Sequence, residues 1–326
     1  MIKRRDFIIG IGSSVVWPAV GLAQQVAVPV IGYLGSNSKT AELTMTSFRK
    51  GLNESGYVEG KNVEIESRWI NGQPDQVPAI IKDFVKRRVS VIAVVSNTAA
   101  ALAAKAGTQT IPIVFRIAGD PVALGLVAAL NRPGGNVTGI TTLGSELTQK
   151  RLEMLREIVP AGSTVAALVN PNNANAEVDR KQLQGAAQLL RLKLLIIDTG
   201  NAAEIDAAFL SMAKRNVSGI VTTAENLFFQ QREQLISLVA RKGVPAIYSD
   251  RLFCETGGLM CYGTDIIDGH YRAGTYVARI LKGTKPADLP VQQSVKAELV
   301  VNLKTAQMQR LKMAPTLLVR ADKVIE

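Results

Sequence analysis

Val89-Ser-Val-Ile-Ala-Val-Val95 and, further along, Val217-Ser-Gly-Ile-Val-Thr-Thr223 are the two stretches whose reading decides the fold. Both are short, apolar and rich in β-branched residues, and both lie between segments of helical period. Such runs are strands buried on both faces of a parallel sheet. Each has a follower of the same kind. Thr110-Ile-Pro-Ile-Val-Phe115 comes after the first, and Gly243-Val-Pro-Ala-Ile-Tyr248 after the second. Two echoes in the same order and at similar offsets predict two lobes of one architecture.

The flanking sequence carries the same alternation. Val28–Leu34 reads as a buried strand stopped by Gly35-Ser36-Asn37-Ser38, and residues 41–55 place Met45, Phe48 and Leu52 at helical spacing. A strand near 62–69, a helix near 75–88 and an alanine-rich helix over 98–107 complete the first series. In the second, Thr164–Val169 is a strand, 174–191 a helix, Leu192–Ile197 a strand and 202–214 a helix. Strands alternating with helices of this length make βαβ units, hence an α/β fold of two Rossmann-like lobes with parallel sheets. The helix over 146–158, with Leu152, Leu155 and Val159 on one face, is the expected bridge between them.

Ligands of such sheets bind beyond the carboxyl ends of the strands, where turns lead into helix N-termini. Those termini offer unpaired amides and partial positive charge. The corresponding positions here repeat one chemistry: Ser36, Asn37 and Ser38; Ser96, Asn97 and Thr98; Asp120; Asn170 and Asn173; Glu225 and Asn226; Asp250. Asn, Ser and Thr also cap helices and build turns, so the signal is their recurrence at nearly every strand end. Asp120, Glu225, Asp250 and Asp265 are the carboxylates available to a ligand's ammonium, and Tyr33, Phe228, Tyr248 and Tyr262 the aromatics available as a flat wall. A ligand's acidic group is expected at the start of helix 98–107.

Catalysis is poorly supplied. His270 is the one histidine and falls within a helix expected over 265–282, where it reads as an ordinary surface or interface residue. Ser–His–Asp and Cys–His chemistry would both require it as base. Histidine- and cysteine-based metal sites lack ligands, and neither a phosphate loop nor a complete dinucleotide fingerprint is present. No cofactor is expected, and the chain reads as a binder rather than an enzyme.

The N-terminus explains part of the charge. Arg4-Arg5-Asp6-Phe7 precedes a short, mildly apolar stretch that ends in Gly21-Leu22-Ala23. A basic start, an apolar middle and a small-residue end make an export signal over 1–23, and the paired arginines resemble the twin-arginine type. The mature chain then lies in the periplasm. Its formal charge falls from +11 to +9 when Lys3, Arg4, Arg5 and Asp6 leave with the leader. The dense basic spot Lys86-Arg87-Arg88 suits a helix C-terminus, and no nucleic-acid motif accompanies it. Cys254 and Cys261 are the two cysteines. Gly257-Gly258 would allow them a turn and a disulfide; two small buried thiols is the favoured expectation.

A longer set of motifs then appears in order. Val30-Ile-Gly-Tyr-Leu34, Gly56-Tyr-Val-Glu-Gly60, Arg68-Trp69, Ile111–Phe115 and Gly119-Asp-Pro121 form its first part. Asn131-Arg-Pro-Gly-Gly-Asn-Val-Thr-Gly139, Asn170-Pro-Asn-Asn173, Gly257-Gly-Leu-Met260, Tyr262-Gly263, Ile280-Leu-Lys-Gly283 and Pro286-Ala-Asp-Leu-Pro290 complete it. Along the whole mature chain this resembles the ABC transporter substrate-binding protein family. The resemblance implies a periplasmic binding protein of type I, a monomer whose lobes close on a small molecule and present it to an ABC permease in the inner membrane. Some relatives bind tryptophan or phenylalanine; here Ser96-Asn97-Thr98-Ala99 stands where relatives often carry a Gly/Thr/Pro-rich turn. It implies lobe 1 over 27–143 plus 263–303, lobe 2 over 144–262, and a C-terminal segment, 304–326, packed on the lobes. The alternative is a periplasmic sensor subunit that docks to a chemoreceptor or sensor kinase.

Overall fold

The computed structural model describes residues 28–37, 41–142, 144, 146–293 and 297–326. The expected leader and Ser38 lie outside these residues. Among them, the first sheet holds β1 (Val30–Gly35), β2 (Glu64–Trp69), β3 (Val91–Val94), β4 (Ile113–Ile117) and β5 (Val137–Thr141). The second holds β6 (Thr164–Val169), β7 (Lys193–Asp198), β8 (Val217–Thr222), β9 (Ala246–Tyr248) and β10 (Met260–Thr264). Two late strands follow, β11 (Gln292–Gln293) and β12 (Ala297–Asn302), and β13 (Lys323–Ile325) is last. The strand orders are β11-β5-β4-β3-β1-β2 and β13-β12-β10-β9-β8-β6-β7. Every pairing is parallel except β10 with β12.

The period-two pattern explains the layers. In β3, Ile92 and Val94 enter one apolar cluster while Val91 and Ala93 enter the cluster on the opposite face. In β6, Val165, Ala167 and Val169 face one way and Ala166 and Leu168 the other. Helices cover both faces: α1 (Ala41–Glu54), α2 (Val77–Lys86) and α3 (Thr98–Gly107) on the first sheet, and α4 (Glu146–Arg156), α5 (Ala176–Leu189), α6 (Ala202–Ala213), α7 (Asn226–Gln230), α8 (Arg232–Lys242) and α9 (Arg251–Glu255) on the second.

The chain crosses between lobes more than once. It enters the second lobe through Gly144 and α4, whose Leu152 and Leu155 are fully buried in that lobe's core. It returns from β10 into α10 (Ile266–Leu281), which lies along α1. That helix pair is close because of glycine: a Cβ on Gly51 would stand 2.1 Å from the Tyr271 carbonyl oxygen, and one on Gly274 would stand 2.2 Å from that of Phe48.

Three expectations are corrected. The expected first-lobe return over 263–303 holds α10, but β12 belongs to the second sheet, paired antiparallel with β10. The C-terminal segment, with α11 (Leu303–Met308) and α12 (Pro315–Arg320), packs beside it and adds β13 in parallel to β12. Cys254 and Cys261 form a disulfide, with Cα atoms 6.0 Å apart, instead of two thiols. His270, expected at the surface or an interface, is buried and lies beside a small chamber lined by both lobes. Its Nδ1 lies 2.8 Å from the Ile266 carbonyl. Burial, with the positive charge of Arg116 adding to it, pushes its pKa down to about 3.

Candidate functional site

The strand-end turns of the two lobes face each other and build one cleft. At the first-lobe edge, Asn97 in extended backbone caps α3 by accepting from Ala100 N at 2.8 Å. On the second lobe Glu225 caps α7, accepting from Leu227 N at 3.1 Å, and Asp250 caps α9, accepting from Leu252 N at 2.8 Å. Capping and cavity lining are therefore the same residues: the cap fixes each side chain's rotamer at the place where a strand end opens to a ligand.

Between the edges lies a cavity with about 80 Å³ of room for water centres. A single water needs roughly 10–15 Å³ by that measure, so the space suits a small solute. Ser96, Arg116, Asn173, Glu225 and Asp250 line it together with Thr142, Arg151, Asn175, Phe229 and Ile266. Its electrostatics are two-sided. Arg116 projects from β4 of the first lobe, and burial lowers its pKa, with Asp250 the leading opposing charge; a guanidinium stays charged throughout. Asp250, 6% exposed, belongs to the second lobe. Burial raises its pKa to about 6, against the backbone amide of Leu252 and the charge of Arg116. Burial also raises Glu225, against the Leu227 amide and the Asn173 side chain. Arg116 makes no ion pair with either carboxylate within 4.0 Å. Ser96 Oγ is buried without a partner, as is Arg116 Nε.

Arg116 owes its place to α10. A Cβ on Gly269 would stand 2.5 Å from Arg116 Nε, so the absent side chain is what admits the guanidinium. Arg151, fully buried in α4, works at the crossover. Its Nη1 donates to the Tyr262 carbonyl at 3.1 Å, and its Nη2 donates to the Gly144 carbonyl at 3.2 Å and to Thr148 Oγ1 at 2.7 Å. It thereby ties the entry to α4 to the strand that leads back out, and burial lowers its pKa to about 10 with Asp179 opposing.

The lobes touch across the cleft. Asn226 Nδ2 donates to the Ser96 carbonyl, which also accepts from Ser36 Oγ at 3.0 Å, and Asn175 Nδ2 donates to the Ala118 carbonyl. A Cβ on Gly144 would lie 3.0 Å from the Cβ atoms of both Ala118 and Ala224. This is a closed arrangement of the two lobes.

Of the sequence-derived candidates, Ser96, Asn97, Thr98, Asn173, Glu225, Asn226 and Asp250 line the cavity. Ser36 and Asn170 line a neighbouring vestibule of about 280 Å³. Four lie elsewhere. Asn37 is half-buried outside the cavity lining, and exposed Asp120 accepts from Val122 N at 2.8 Å to hold its own turn. Tyr262 packs on the second-lobe core, and Asp265 caps α10 and pairs with Arg251 at 3.5 Å. Tyr33, Phe228 and Tyr248 are core aromatics, and Phe229 is the ring on the cavity. Arg116, Arg151 and Phe229 were missed; a lone cation inside the apolar run Ile-Val-Phe-Arg-Ile is the one signal that pointed to the first.

Among the described residues no group of His, Cys, Asp and Glu is arranged to hold a metal, and no helix is long and apolar enough to cross a membrane. A family model described as ABC transporter substrate binding protein matches residues 25–325. A tyrosine-binding protein of Clostridioides difficile is 27% identical over 267 residues, 81% of this chain and 76% of that protein. A conserved domain protein from Vibrio cholerae superposes with a TM-score of 0.82 at 27% identity, over 91% of this chain and 99% of that one. The ABC domain from Streptococcus pneumoniae in complex with L-Trp gives 0.81 at 25% identity with the same coverage.

Proposed function

The chain belongs to the ABC transporter substrate binding protein family, and from that premise we propose that it captures an amino acid or small carboxylate in the closed cleft and hands it to an ABC permease. The facing pair of Arg116 and Asp250 carries the reading. One lobe offers a cation and the other a carboxylate, close enough to sense each other yet not paired, and a zwitterion inserted between them satisfies both. The ligand's carboxylate takes the guanidinium, the Ser96 hydroxyl and the amides that open α3. Its ammonium takes Asp250, whose buried charge is otherwise poorly compensated.

Magnitudes agree with such a role. Charge-assisted hydrogen bonds contribute about 1.5–3 kcal/mol each, so a few of them supply much of the roughly −8 kcal/mol of a micromolar complex. The tyrosine-binding relative and the L-Trp complex support an amino acid as the occupant. Nothing in the cleft is asked to do chemistry. Delivery to a permease, and export to the periplasm by the leader, complete the proposal.

The test is calorimetry on the mature chain with a panel of α-amino acids and their deaminated acids. Asp250→Asn keeps the helix cap and removes the charge. It should weaken an amine-bearing ligand by about tenfold or more, one charge-assisted bond, and barely change the matching amine-free acid. Arg116→Met should weaken both. Equal losses for both ligands in Asp250→Asn would sink the assignment of Asp250 to the ammonium.

A further inference from the structure

The central cavity has a neighbour, and one residue is common to their walls. A groove of about 600 Å³ opens sideways between the lobes, with Leu43, Thr46 and Lys50 of α1 on one wall and Leu252 of α9 and Ile267 of α10 on the others. Phe229 lines both the groove and the cavity, and among the described residues that line them no other belongs to both. The ring is 7% exposed. It is held from the groove side by Arg232, whose guanidinium lies 5.4 Å from the ring centroid and whose Nη1 donates to the Phe229 carbonyl at 3.3 Å. Phe229 and Ile266 also meet Arg116 around a smaller chamber beside the cavity, so the apolar wall adjoins the cation that anchors the ligand.

From this geometry we infer that Phe229 sets the ligand length the cleft accepts. The inference rests on the amino-acid reading above. With the ligand's carboxylate on Arg116 and its ammonium on Asp250, an apolar side chain that runs along Ile266 ends against the Phe229 ring. A chain one carbon too long must displace a ring that lies beside the Arg232 guanidinium and packs on the second-lobe core. Packed interiors resist such additions. Removing the ring joins the cavity to the groove, whose Leu43, Leu252 and Ile267 are a suitable surface for the excess carbons.

The experiment measures dissociation constants of straight-chain L-α-amino acids, from alanine through norvaline and norleucine to α-aminooctanoate, with phenylalanine and tryptophan beside them. The full mature chain, Phe229→Ala and the milder Phe229→Leu are compared, each shown by its thermal melt to be folded. In the unmodified protein affinity should rise with chain length and then collapse. In Phe229→Ala the collapse should move to longer chains, with about tenfold or more gained per newly accepted methylene, and Phe229→Leu should fall between. Short ligands, which never reach the ring, should change only a few-fold. If Phe229→Ala does not fold, Phe229→Leu alone decides. A break at the same length in all folded variants overturns the inference and leaves the amino-acid reading intact. Failure of every amino acid to bind any of the folded proteins overturns both.

Discussion

Asp250 caps α9 through Oδ1 while its carboxylate sits almost wholly out of water, and burial lifts its pKa from 3.8 to about 6. An acid raised on folding binds more protons folded than unfolded between those values, so its contribution makes stability fall as pH rises from about 4 to 6. At neutral pH the strain amounts to about 3 kcal/mol. His270 acts in the opposite sense. Its pKa is depressed to about 3, so its contribution makes stability fall as pH drops below 6.5. The two slopes oppose each other between pH 4 and 6, and a melt of the unmodified protein alone would hide both. Asp250→Asn separates them: its melting point should equal the parent's near pH 3.5 and exceed it by several degrees at pH 7.5, at about 2–4 °C per kcal/mol for a lobe-sized unit. A constant difference across that range would contradict the burial of the charge. A ligand site bought with stability in this way was half legible in the sequence. Asp250 and Glu225 stood out because caps and ligand contacts draw on the same residue types at strand ends. Arg116 did not, because one cation within a strand discloses its facing only once Gly269 of α10 is known to lie across it.

At the scale of elements, α1 and α10 are the contact on which the first lobe's outer layer depends. Gly51 and Gly274 let each helix bring backbone against backbone. A methyl group on Gly274 would have to push the Phe48 carbonyl by more than an ångström, and that oxygen is the fixed backbone of a helix. Gly274→Ala should therefore lower stability by about 1–3 kcal/mol, despite alanine's better helix propensity. An exposed position such as Gly185, with nothing within 4 Å of an added Cβ, should gain from the same change. Chemical denaturation of the two variants gives the comparison, and equal stabilities would mean that the helices have room to separate. Neither glycine is identifiable as a contact in the string. Strand and helix identity followed from period and composition, and most elements lie within a few residues of where the pattern put them. Sheet membership did not follow. Ala297–Asn302 reads as a strand wherever it goes, and only the pairing of Tyr262 with Leu299 places it in the second sheet.

For the whole molecule the proposed capture makes the balance between closed and open lobes the decisive quantity. Two side-chain amides of the second lobe reach backbone carbonyls of the first, Asn226 to Ser96 and Asn175 to Ala118, and Arg151 holds the crossover between them. The two amide bonds cross the cleft, so under the proposed capture they add to the free energy of closure and leave each lobe's own core unchanged. A typical hydrogen bond contributes about 0.5–1.5 kcal/mol net. Losing both shifts the equilibrium toward the open form by roughly 5- to 150-fold. Because a ligand's apparent affinity scales with the fraction of competent protein, Asn175→Ala with Asn226→Ala should weaken binding by part of that factor. Each lobe's melting behaviour should stay near the parent's. Small-angle scattering reads the population directly: the double variant without ligand should have a larger radius of gyration than the parent, and saturating ligand should return it to the parent's compact value. Asn175 and Asn226 also border the cavity, so the scattering of the ligand-free proteins separates a loss of closure from a loss of ligand contact. Identical ligand-free curves would assign any weakened binding to the contact, and the amides would then have no part in closing the lobes.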